Sequence, residues 1–515
     1  MASSCRYRPL LVLGVLGLEA CTRLGPDFQS PGEPWARNWN SAAVQLASRR
    51  QPGPDFRQWW QVFHDPLLDR LIAQSDAYNS NLRIAGLRVM EARAQLGIAQ
   101  SQRLPQFQQA SAESLYARRD QFGGNNPQDS RFWQYNAGFE LGWELDFWGR
   151  FSRAIESSDA AYFSARANYE DVLVLLRAQV ATTYFALRTA EGRLQVAREN
   201  AAQQKRSFEI TEKLFNSGQT AELDIQQAKT QYLGTLSSIP SLEDQAARFR
   251  NALAGLVGQP PGGVPWLLDS PGLIPLVDRA VLQEVPAELL LRRPDVRAAE
   301  LDVAAQSALI GVAESDFYPA LSLLGSIVWS ANTLSGTSSS LDVIGGPSLR
   351  WNLFDHGQIR NNVRVQDARL QQLIEAYRDR VRQAAREADD AATGLTKALE
   401  RERILGEASL AARRSLVLAN TLYVEGYSDF QRVLDAQSAL LLQQDNYLLS
   451  RSDAVSNLIA LYKALGGGWQ NAQPLVDQQT REQMEKRSDW GDLLSNPEGA
   501  PASPASAAKV HDHDR

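Results

Sequence analysis

Two halves of this 515-residue sequence carry the same series of signals, and this duplication constrains the fold more than any other feature. Residues 96–99 and Pro105 recur, with conservative changes, as residues 310–313 and Pro319, an offset of 214 positions. A second set recurs at an offset of 208 positions: Leu141, Trp143, Leu145, Gly149 and Gly218 as Leu349, Trp351, Leu353, Gly357 and Gly426. A unit of about two hundred residues is too long for a solenoid repeat. The chain is therefore predicted to consist of two related halves.

Each half is predicted to run helix, strand, strand, long helix, tight turn, helix. The first helix begins at Pro66 and runs to about Arg103, and its counterpart begins near Pro294. The long helices are expected over about residues 150–216 and 358–425, the second of them on the order of 100 Å long. Apolar and small residues in the first long helix follow alternating steps of four and three, which is the spacing of a coiled coil.

The long helices are predicted to end at Gly218 and Gly426, because glycine readily adopts the left-handed backbone that reverses a helix. The returning helices are expected over residues 221–257 and 429–465. Each half therefore ends in a helical hairpin.

Four strands are expected, at about residues 106–117, 134–148, 320–331 and 345–355. In residues 138–147, apolar and mostly aromatic or leucine side chains alternate without interruption with glycines and carboxylates. This pattern fits a barrel with lipid outside and water inside, although a half-buried strand of a soluble protein gives the same alternation. Polar, Gly-rich loops at residues 120–130 and 332–340 join the strands of each pair.

Composition and charge exclude two classes of protein. The net charge of -6 comes from 53 basic and 59 acidic residues scattered along the chain, with no basic block to follow a nucleic-acid backbone. Beyond the first twenty residues, no run of 18 apolar residues is present to form a membrane-spanning helix. Any membrane crossing is therefore expected to be made by strands.

The N-terminus is typical of a secretion signal, because Arg6 and Arg8 precede a short apolar run. The run ends at Leu18, Glu19, Ala20 and Cys21, which resembles a bacterial lipobox except for Glu19. The chain has two cysteines, and Cys5 lies in the segment to be removed, so Cys21 is left without a disulfide partner. We expect lipid on Cys21; an ordinary signal peptide with an incidental cysteine is the alternative.

Four strands cannot close a barrel, because small closed barrels need about eight. An open sheet edge is not tolerated in lipid, so the chain is predicted to oligomerise. A dimer would close eight strands but leave almost no interior, whereas a cyclic trimer would supply twelve strands and a lumen.

Two stretches of the sequence carry a family resemblance: Trp59, Trp60, Phe63, Asp65, Pro66, Leu68 and Leu71 near the start, and Arg292, Arg293, Pro294, Asp295 and Glu300 in the middle. The chain resembles the TolC family of outer-membrane factors from Cys21 to about Trp469, and specifically its NodT-type lipoprotein branch. The resemblance implies a mainly α fold with a membrane β-barrel, in which a homotrimer forms an α-helical barrel and a 12-stranded β-barrel with four strands per chain.

The resemblance also implies function and partners. The chain would be the passive exit duct of a tripartite efflux pump for drugs or other small compounds. It would sit lipid-anchored in the outer membrane, extend into the periplasm, and meet a periplasmic adaptor (membrane fusion protein) and an inner-membrane RND-type pump.

The resemblance further implies where the periplasmic end closes. Asp435 matches the aspartate that rings the closed aperture; a solvated acid near a helix N-terminus is the alternative. Asp224 and Tyr423 match positions that link neighbouring coils in the closed state. Ser428 and Arg432 stand where TolC has an arginine and an aspartate, so the ring charge is expected to be smaller.

The predicted organisation is a signal peptide (1–20), a lipid-anchored N-terminal segment (21–64), a first repeat (65–258), an inter-repeat equatorial segment (259–293), a second repeat (294–466), and a C-terminal equatorial segment with a disordered tail (467–515). No catalytic site, metal site or cofactor is expected, and no nucleic-acid partner. His511 and His513 could bind a metal, but their Ala/Pro/Ser-rich surroundings are typical of a solvated tail. Asp389 and Asp390 are interpreted as a solvated helix face. The alternative functions are a type I protein secretion duct, a pore-free coiled-coil protein of the envelope, and a secreted enzyme.

Overall fold

A computed structural model describes residues 23–32, 35, 56–119, 130–267, 274–277, 291–331, 339–470 and 474–494. Several predictions lie outside the described residues: the signal segment, Cys21, most of the two strand-joining loops, and the tail with His511 and His513.

Long helices and one small sheet make up the described chain. The helices are α1 (Pro66–Tyr78), α2 (Ser80–Ser101), α3 (Arg150–Asn216), α4 (Glu222–Leu256), α5 (Pro294–Ser315), α6 (Gln358–Val424), α7 (Phe430–Ala464) and α8 (Gln478–Arg487). The strands are β1 (Phe107–Arg119), β2 (Ser130–Glu144), β3 (Ala320–Ala331) and β4 (Ser339–Arg350). No helix in the described part of the chain combines the length and the apolarity that crossing a membrane requires.

Three helices of the first half have the same lengths as their counterparts in the second. Helices α2 and α5 both have 22 residues, α3 and α6 both have 67, and α4 and α7 both have 35. A side-chain contact is duplicated too: the indole N–H of Trp143 donates to the carbonyl of Arg103 (3.3 Å), and that of Trp351 donates to the carbonyl of Phe317 (3.0 Å). The two halves are therefore two copies of one structural unit.

The four strands form one antiparallel sheet in the order β1-β2-β3-β4. Cross-strand partners share a face, so the register separates the side chains into two sets. One face carries apolar and aromatic side chains: Tyr116, Trp133, Tyr135, Phe139, Trp143, Leu323, Ile327, Trp329, Leu341 and Val343. The other face is mixed: it carries the carboxylates of Glu113, Glu140, Glu144 and Asp342 together with the apolar side chains of Phe107, Leu115, Leu324, Val328 and Ile344. Within the described residues β1 and β4 each pair on one side only, which leaves two open edges.

Two strands end earlier than the sequence predicts. Strand β2 stops at Glu144 rather than at residue 148, because the Asp146 carboxylate accepts bonds from the N–H groups of Phe151 (3.0 Å) and Ser152 (2.9 Å) and starts α3. Strand β4 covers Ser339–Arg350 instead of about 345–355, and Asp355 similarly accepts from Ile359 (2.7 Å) at the start of α6.

The predicted first helix is broken into α1 and α2 at Asn79. The side-chain oxygen of Asn79 accepts hydrogen bonds from the N–H groups of Asn81 (3.0 Å) and Leu82 (3.1 Å), and these bonds cap the start of a new helix. Its amide nitrogen donates to the carbonyl of Leu256 (2.9 Å) at the end of α4. Asn79 therefore joins the start of α2 to the end of the returning helix of the same half.

Arg293 makes the same joint in the second half. It lies 214 positions after Asn79, and its Nη1 donates to the carbonyl of Ala464 (2.9 Å), which lies 208 positions after Leu256. The guanidinium also binds Asp295 (3.0 Å) and Glu387 (2.9 Å). Near this cluster, burial and then the Asp295 charge raise the pKa of Asp171 to about 6. One joint is neutral and its duplicate is charged.

The main core lies at the level of these joints. Trp59 stacks on Tyr462 at 5.3 Å between ring centroids, and Phe63 packs edge-on against Phe185 at 4.7 Å. A buried ion pair joins Arg177 to Asp76 (2.6 Å), and the guanidinium lies over the ring of Trp60, 4.8 Å from its centroid. The tryptophans of the family resemblance are therefore core residues.

The C-terminal segment packs on the first half. Val476, Met484 and Leu494 form a small apolar cluster with Met90 of α2. The carbonyl of Leu493 accepts a bond from Arg93 of α2 (3.2 Å).

Gly258 should be intolerant of substitution. Its φ is +71°, and a Cβ there would overlap the carbonyl oxygen of Tyr78 at the first joint. Gly258→Ala is expected to lower the free energy of unfolding by at least about 1–2 kcal/mol, the cost of the left-handed backbone alone. Denaturant midpoints of the detergent-solubilised protein would measure this.

Gly255→Ala is the matched control, because that helical glycine has open space around its Cβ position. It should stabilise α4 by about 0.5–1 kcal/mol. Equal midpoints for the two variants would show that the Gly258 turn does not constrain the joint.

Candidate functional site: the helical hairpin tips

Each long helix ends in a glycine turn, as predicted. Gly218 and Gly426 have φ values of +75° and +77°. In the first turn the N–H of Gln219 donates to the carbonyl of Leu214 (2.9 Å), and in the second that of Tyr427 donates to Leu422 (2.8 Å). These 6→1 hydrogen bonds, from the residue after the glycine back to the carbonyl five positions earlier, are typical of a Schellman motif, in which the glycine adopts the left-handed conformation. The chain therefore presents two identically built tips, the first tip (residues 214–224) and the second tip (residues 422–437).

The second tip is held by its own apolar cluster, separate from the main core. Its buried members are Ala228, Leu416, Phe430, Val433, Leu434, Ala436 and Leu440. Phe430 is 3% exposed, and its ring lies 5.2 Å from that of Tyr423, between ring centroids. Because Ala228 belongs to α4, the cluster also fastens α7 to the first hairpin.

Asp224 and Tyr423, which are 199 positions apart in sequence, lie close enough to interact electrostatically. Asp224 accepts a hydrogen bond from the hydroxyl of Thr220 in the first tip. Burial raises the pKa of Tyr423, the Asp224 charge raises it further, and the hydroxyls of Thr211 and Thr220 act in the opposite direction. The phenol therefore sits beneath the first tip, on the border between the two halves.

Asp435 lies on the exposed side of α7. Its neighbours Leu434 and Ala436 are buried in the tip cluster, while its carboxylate accepts a hydrogen bond from Gln431 (2.9 Å). Arg432 points to the same exposed surface and pairs with Asp429 (3.9 Å). The structure thus brings Asp224 and Tyr423 together and leaves Asp435 free to face another molecule.

Polar contacts that sequence reasoning missed tie α7 to the first hairpin. Gln437 donates to the hydroxyl of Ser207 on α3 (2.8 Å), and Gln231 of α4 donates to Ser438 (3.0 Å). Farther from the tips along the same helices, Arg193 of α3 forms an ion pair with Asp445 of α7 (2.6 Å). Each partner lies more than 200 positions away, and no local pattern marks it.

The second tip also exposes apolar side chains. Tyr427 is 79% exposed and Val424 77% exposed, and Leu223 of the first tip is exposed as well. Apolar side chains of this size at the end of a long rod are a surface that a partner would cover.

Within residues 23–494, apart from the gaps given above, no group of three His, Cys, Asp or Glu side chains is placed to hold a metal ion.

Comparison with known proteins gives consistent matches over most of the chain. The family model described as "Outer membrane efflux protein" matches residues 71–259 and 285–467. SilC of Salmonella typhimurium, named a probable outer membrane lipoprotein, is 28% identical over 479 residues, covering 90% of this chain and 99% of SilC. The outer membrane protein OprJ of Pseudomonas aeruginosa is 29% identical over 475 residues, covering 90% of this chain and 96% of OprJ. The solved structure of the outer-membrane channel OprN superposes with a TM-score of 0.81 at 33% identity, covering 87% of this chain and 100% of OprN.

The separate tip cluster predicts separate local stability. Phe430→Ala should remove most of the burial that holds the second tip, at a cost of about 3–5 kcal/mol, while leaving the main core intact. Hydrogen exchange of peptides from residues 416–440 should accelerate, and exchange near Trp59 should not. Tyr427→Ala, at an exposed aromatic of the same turn, serves as the control and should leave exchange unchanged. Acceleration throughout the chain in Phe430→Ala would contradict an independent tip.

Proposed function

This chain belongs to the outer membrane efflux protein family and is an outer-membrane efflux channel with a TolC-type fold; on that premise we propose how it assembles, docks and closes. We propose a homotrimer that acts as a passive duct without an enzymatic step. It receives its cargo from a periplasmic adaptor and an inner-membrane RND-type pump. The observation that carries the proposal is a four-stranded sheet that has two open edges within the described residues and carboxylates on one face only.

The strand count supports closure by three copies. Four antiparallel strands per chain bring β4 alongside β1 of the next copy in antiparallel orientation, so identical copies can continue one sheet. Three copies supply twelve strands, which is enough for an open lumen. The apolar face, with Trp133 and Trp143 at its two ends, would meet lipid, and the carboxylates would line the water-filled interior.

The duplication supplies a register for the contact between copies. Residues of β3 follow their β1 counterparts by 213 positions, and residues of β4 follow their β2 counterparts by 208: the pair Phe107–Gly142 becomes the observed pair Ala320–Arg350. The pair Leu141–Gly325 joins β2 of the first half to β3 of the second. The duplicated pair would join β4 of one copy to β1 of the next. Adding 208 to Leu141 gives Leu349, and subtracting 213 from Gly325 gives Ala112, so Leu349 should lie opposite Ala112 of the next copy.

A disulfide tests this register and the trimer together. Oxidation of the double variant Ala112→Cys, Leu349→Cys should give crosslinked species of two and three chains and none larger. Directly opposed Cβ atoms lie about 4.5–5.5 Å apart, which is close enough for a disulfide to form. Ser111→Cys with Leu349→Cys is the control, since Ser111 is on the opposite face and should not crosslink. A ladder ending at two, or equal crosslinking of both pairs, would contradict the proposal.

The exposed tips support docking of an adaptor. Tyr427, Val424 and Leu223 present apolar surface at the end farthest from the sheet, and in a trimer this arrangement occurs three times around the axis. The matching family model is described as outer membrane efflux protein, which favours efflux over protein secretion.

We further propose that Cys21 carries lipid and anchors the mature chain. The name of SilC as a lipoprotein and the lipobox-like sequence support this. Mass spectrometry of the N-terminal peptide should find Cys21 as the first residue with acyl chains attached. Cys21→Ala behind an ordinary signal peptide should lose that mass and still form trimers. An unmodified Cys21 in the wild type would end this part of the proposal.

The gate is proposed to be a ring of three Asp435 carboxylates at the periplasmic end, with Asp224 and Tyr423 linking the hairpins in the closed state. Exposure of Asp435 between two buried residues supports this, since only its side chain of the three is free to reach the axis. Like charges in a constriction repel one another, and a bound cation would relieve the repulsion.

Single-channel recording tests the pore and its gate. Wild-type trimers should conduct, and a trivalent cation on the periplasmic side should block them. Asp435→Ala should weaken the block by roughly tenfold or more, as expected when about 1.4 kcal/mol of cation binding is lost, and shift selectivity away from cations. Asp429→Ala, at another exposed carboxylate of the same hairpin, is the matched control and should retain the block.

The outcomes separate the two claims. A protein that does not conduct contradicts the channel. If the protein conducts and the trivalent cation blocks both variants as strongly as wild type, the constriction lies at other residues.

A further inference from the structure

The N-terminal segment Arg23–Ser30, here named the strap, runs between the two halves of the chain. It begins at the junction of sheet and helices, where the N–H of Leu24 donates to the carbonyl of Trp148 (3.3 Å). It ends on α5, where the hydroxyl of Ser30 donates to the carboxylate of Glu300. Phe28 packs against the main core on the way. The strap therefore touches the start of α3 in the first half and α5 in the second.

Arg153, near the start of α3, binds the strap through its guanidinium group. Its Nε donates to the carbonyl of Leu24 (2.9 Å), and its Nη2 donates to the carbonyl of Gly25 (3.1 Å) and the carboxylate of Asp27 (2.8 Å). Its Nη1 is held by Glu156 (2.9 Å). The Arg153 side chain is only 2% exposed, so its charge depends on these partners for solvation.

Two glycines let the strap approach α5. A Cβ on Gly25 would overlap the backbone of Gly311, and a Cβ on Gly311 would overlap the carbonyl oxygen of Leu24 and crowd Arg153. Gly25 also has a φ of +83°, which other residues rarely adopt. The two backbones therefore meet at a distance that only glycine on both sides permits.

The duplication provides an internal comparison. The positions that correspond to Arg153 and Gly311 in the other half are Asn361 and Gly97. Asn361 has a shorter, neutral side chain that cannot bind two carbonyls and a carboxylate as the Arg153 guanidinium does. The strap site lies where α3 of the first half packs on α5 of the second, and its buried arginine is not repeated at the duplicated position.

The strap begins where the channel would meet the membrane surface. Trp148 stacks on Tyr318 at 4.6 Å between ring centroids, and its indole N–H donates to the carbonyl of Pro319 (2.9 Å). Such aromatic side chains are typical of the boundary between lipid and water. Cys21 precedes Arg23 by two residues, a reach of at most about 7 Å.

We propose that Arg153, Gly311 and Glu300 form a receptor site for the strap, and that this site fixes where the N-terminal anchor meets the channel. Arg153 is a positioning residue: it recognises two successive carbonyls and an acidic side chain two residues further on. The anchoring part of the inference rests on the proposed lipid at Cys21, whereas docking of the strap does not.

Proteolysis of the full-length, lipidated protein tests the site. Trypsin cleaves after Arg23, but only when the following backbone leaves Trp148 and becomes extended in the protease. Arg153→Gln should accelerate release of the N-terminal lipopeptide by at least roughly tenfold, because the released state becomes more populated. Arg150→Gln is the matched control: this exposed arginine on the same helix forms ion pairs with Glu144 and Asp316, neither of which belongs to the strap. It should cleave at the wild-type rate.

A substitution within the strap keeps the test decisive if Arg153→Gln fails to assemble. Gly25→Ala leaves the receptor unchanged and should also accelerate cleavage by roughly tenfold or more. Equal rates for wild type, Arg153→Gln and Gly25→Ala would overturn the receptor site. Conductance measured on the same samples reports the channel separately, so a failure of the strap and a failure of the channel give different results.

Discussion

A strand at the edge of a sheet carries backbone N–H and C=O groups that require partners, and lipid supplies none. The sheet described here has two such edges, β1 and β4, and its apolar face is unsuited to water. The proposed trimer satisfies both conditions by closing the sheet with further copies. In that trimer the helices that follow the strands would share the circular arrangement, and the long helices α3 and α6 would form the wall of a tube.

Duplication lets the chain build this wall from one structural unit while the details diverge. Asn79 and Arg293 make the same joint to the ends of α4 and α7, but the first is neutral and capping, and the second belongs to a cluster of charges. The charged joint lowers stability near Asp171, whose pKa is raised to about 6. Above that pH the carboxylate must ionise in a site that disfavours its charge. The two hairpins consequently leave the main core through joints of different chemistry.

Local signals in the sequence predicted the helical part closely. The helix bounds at α3, α4, α6 and α7 agree to within one residue, because glycine turns and long periodic runs are encoded locally. The strand ends and the break at Asn79 were not predicted, because capping bonds from Asp146 override the apolar alternation at the end of β2, and those from Asn79 override the helical run at the start of α2. At the tips, the turn glycines were predictable, but the contacts of Thr211 and Ser207 were not. The strap contacts of Arg153, at the other end of α3, were not predictable either. Their partners lie more than 120 positions away, and one sequence contains no record of such proximity.

The strap and the C-terminal segment each contact the half farther from them in sequence: the strap reaches α5 as well as α3, and the C-terminal segment packs on α2. This crossing sets an order of events during synthesis. Ser30 and Glu300 are 270 positions apart, so at about 5–20 residues per second the start of the chain is made roughly 15–50 seconds before its docking helix exists. Secretion can therefore begin before the contact between Ser30 and Glu300 exists, and that contact requires a chain that has been translated into its second half.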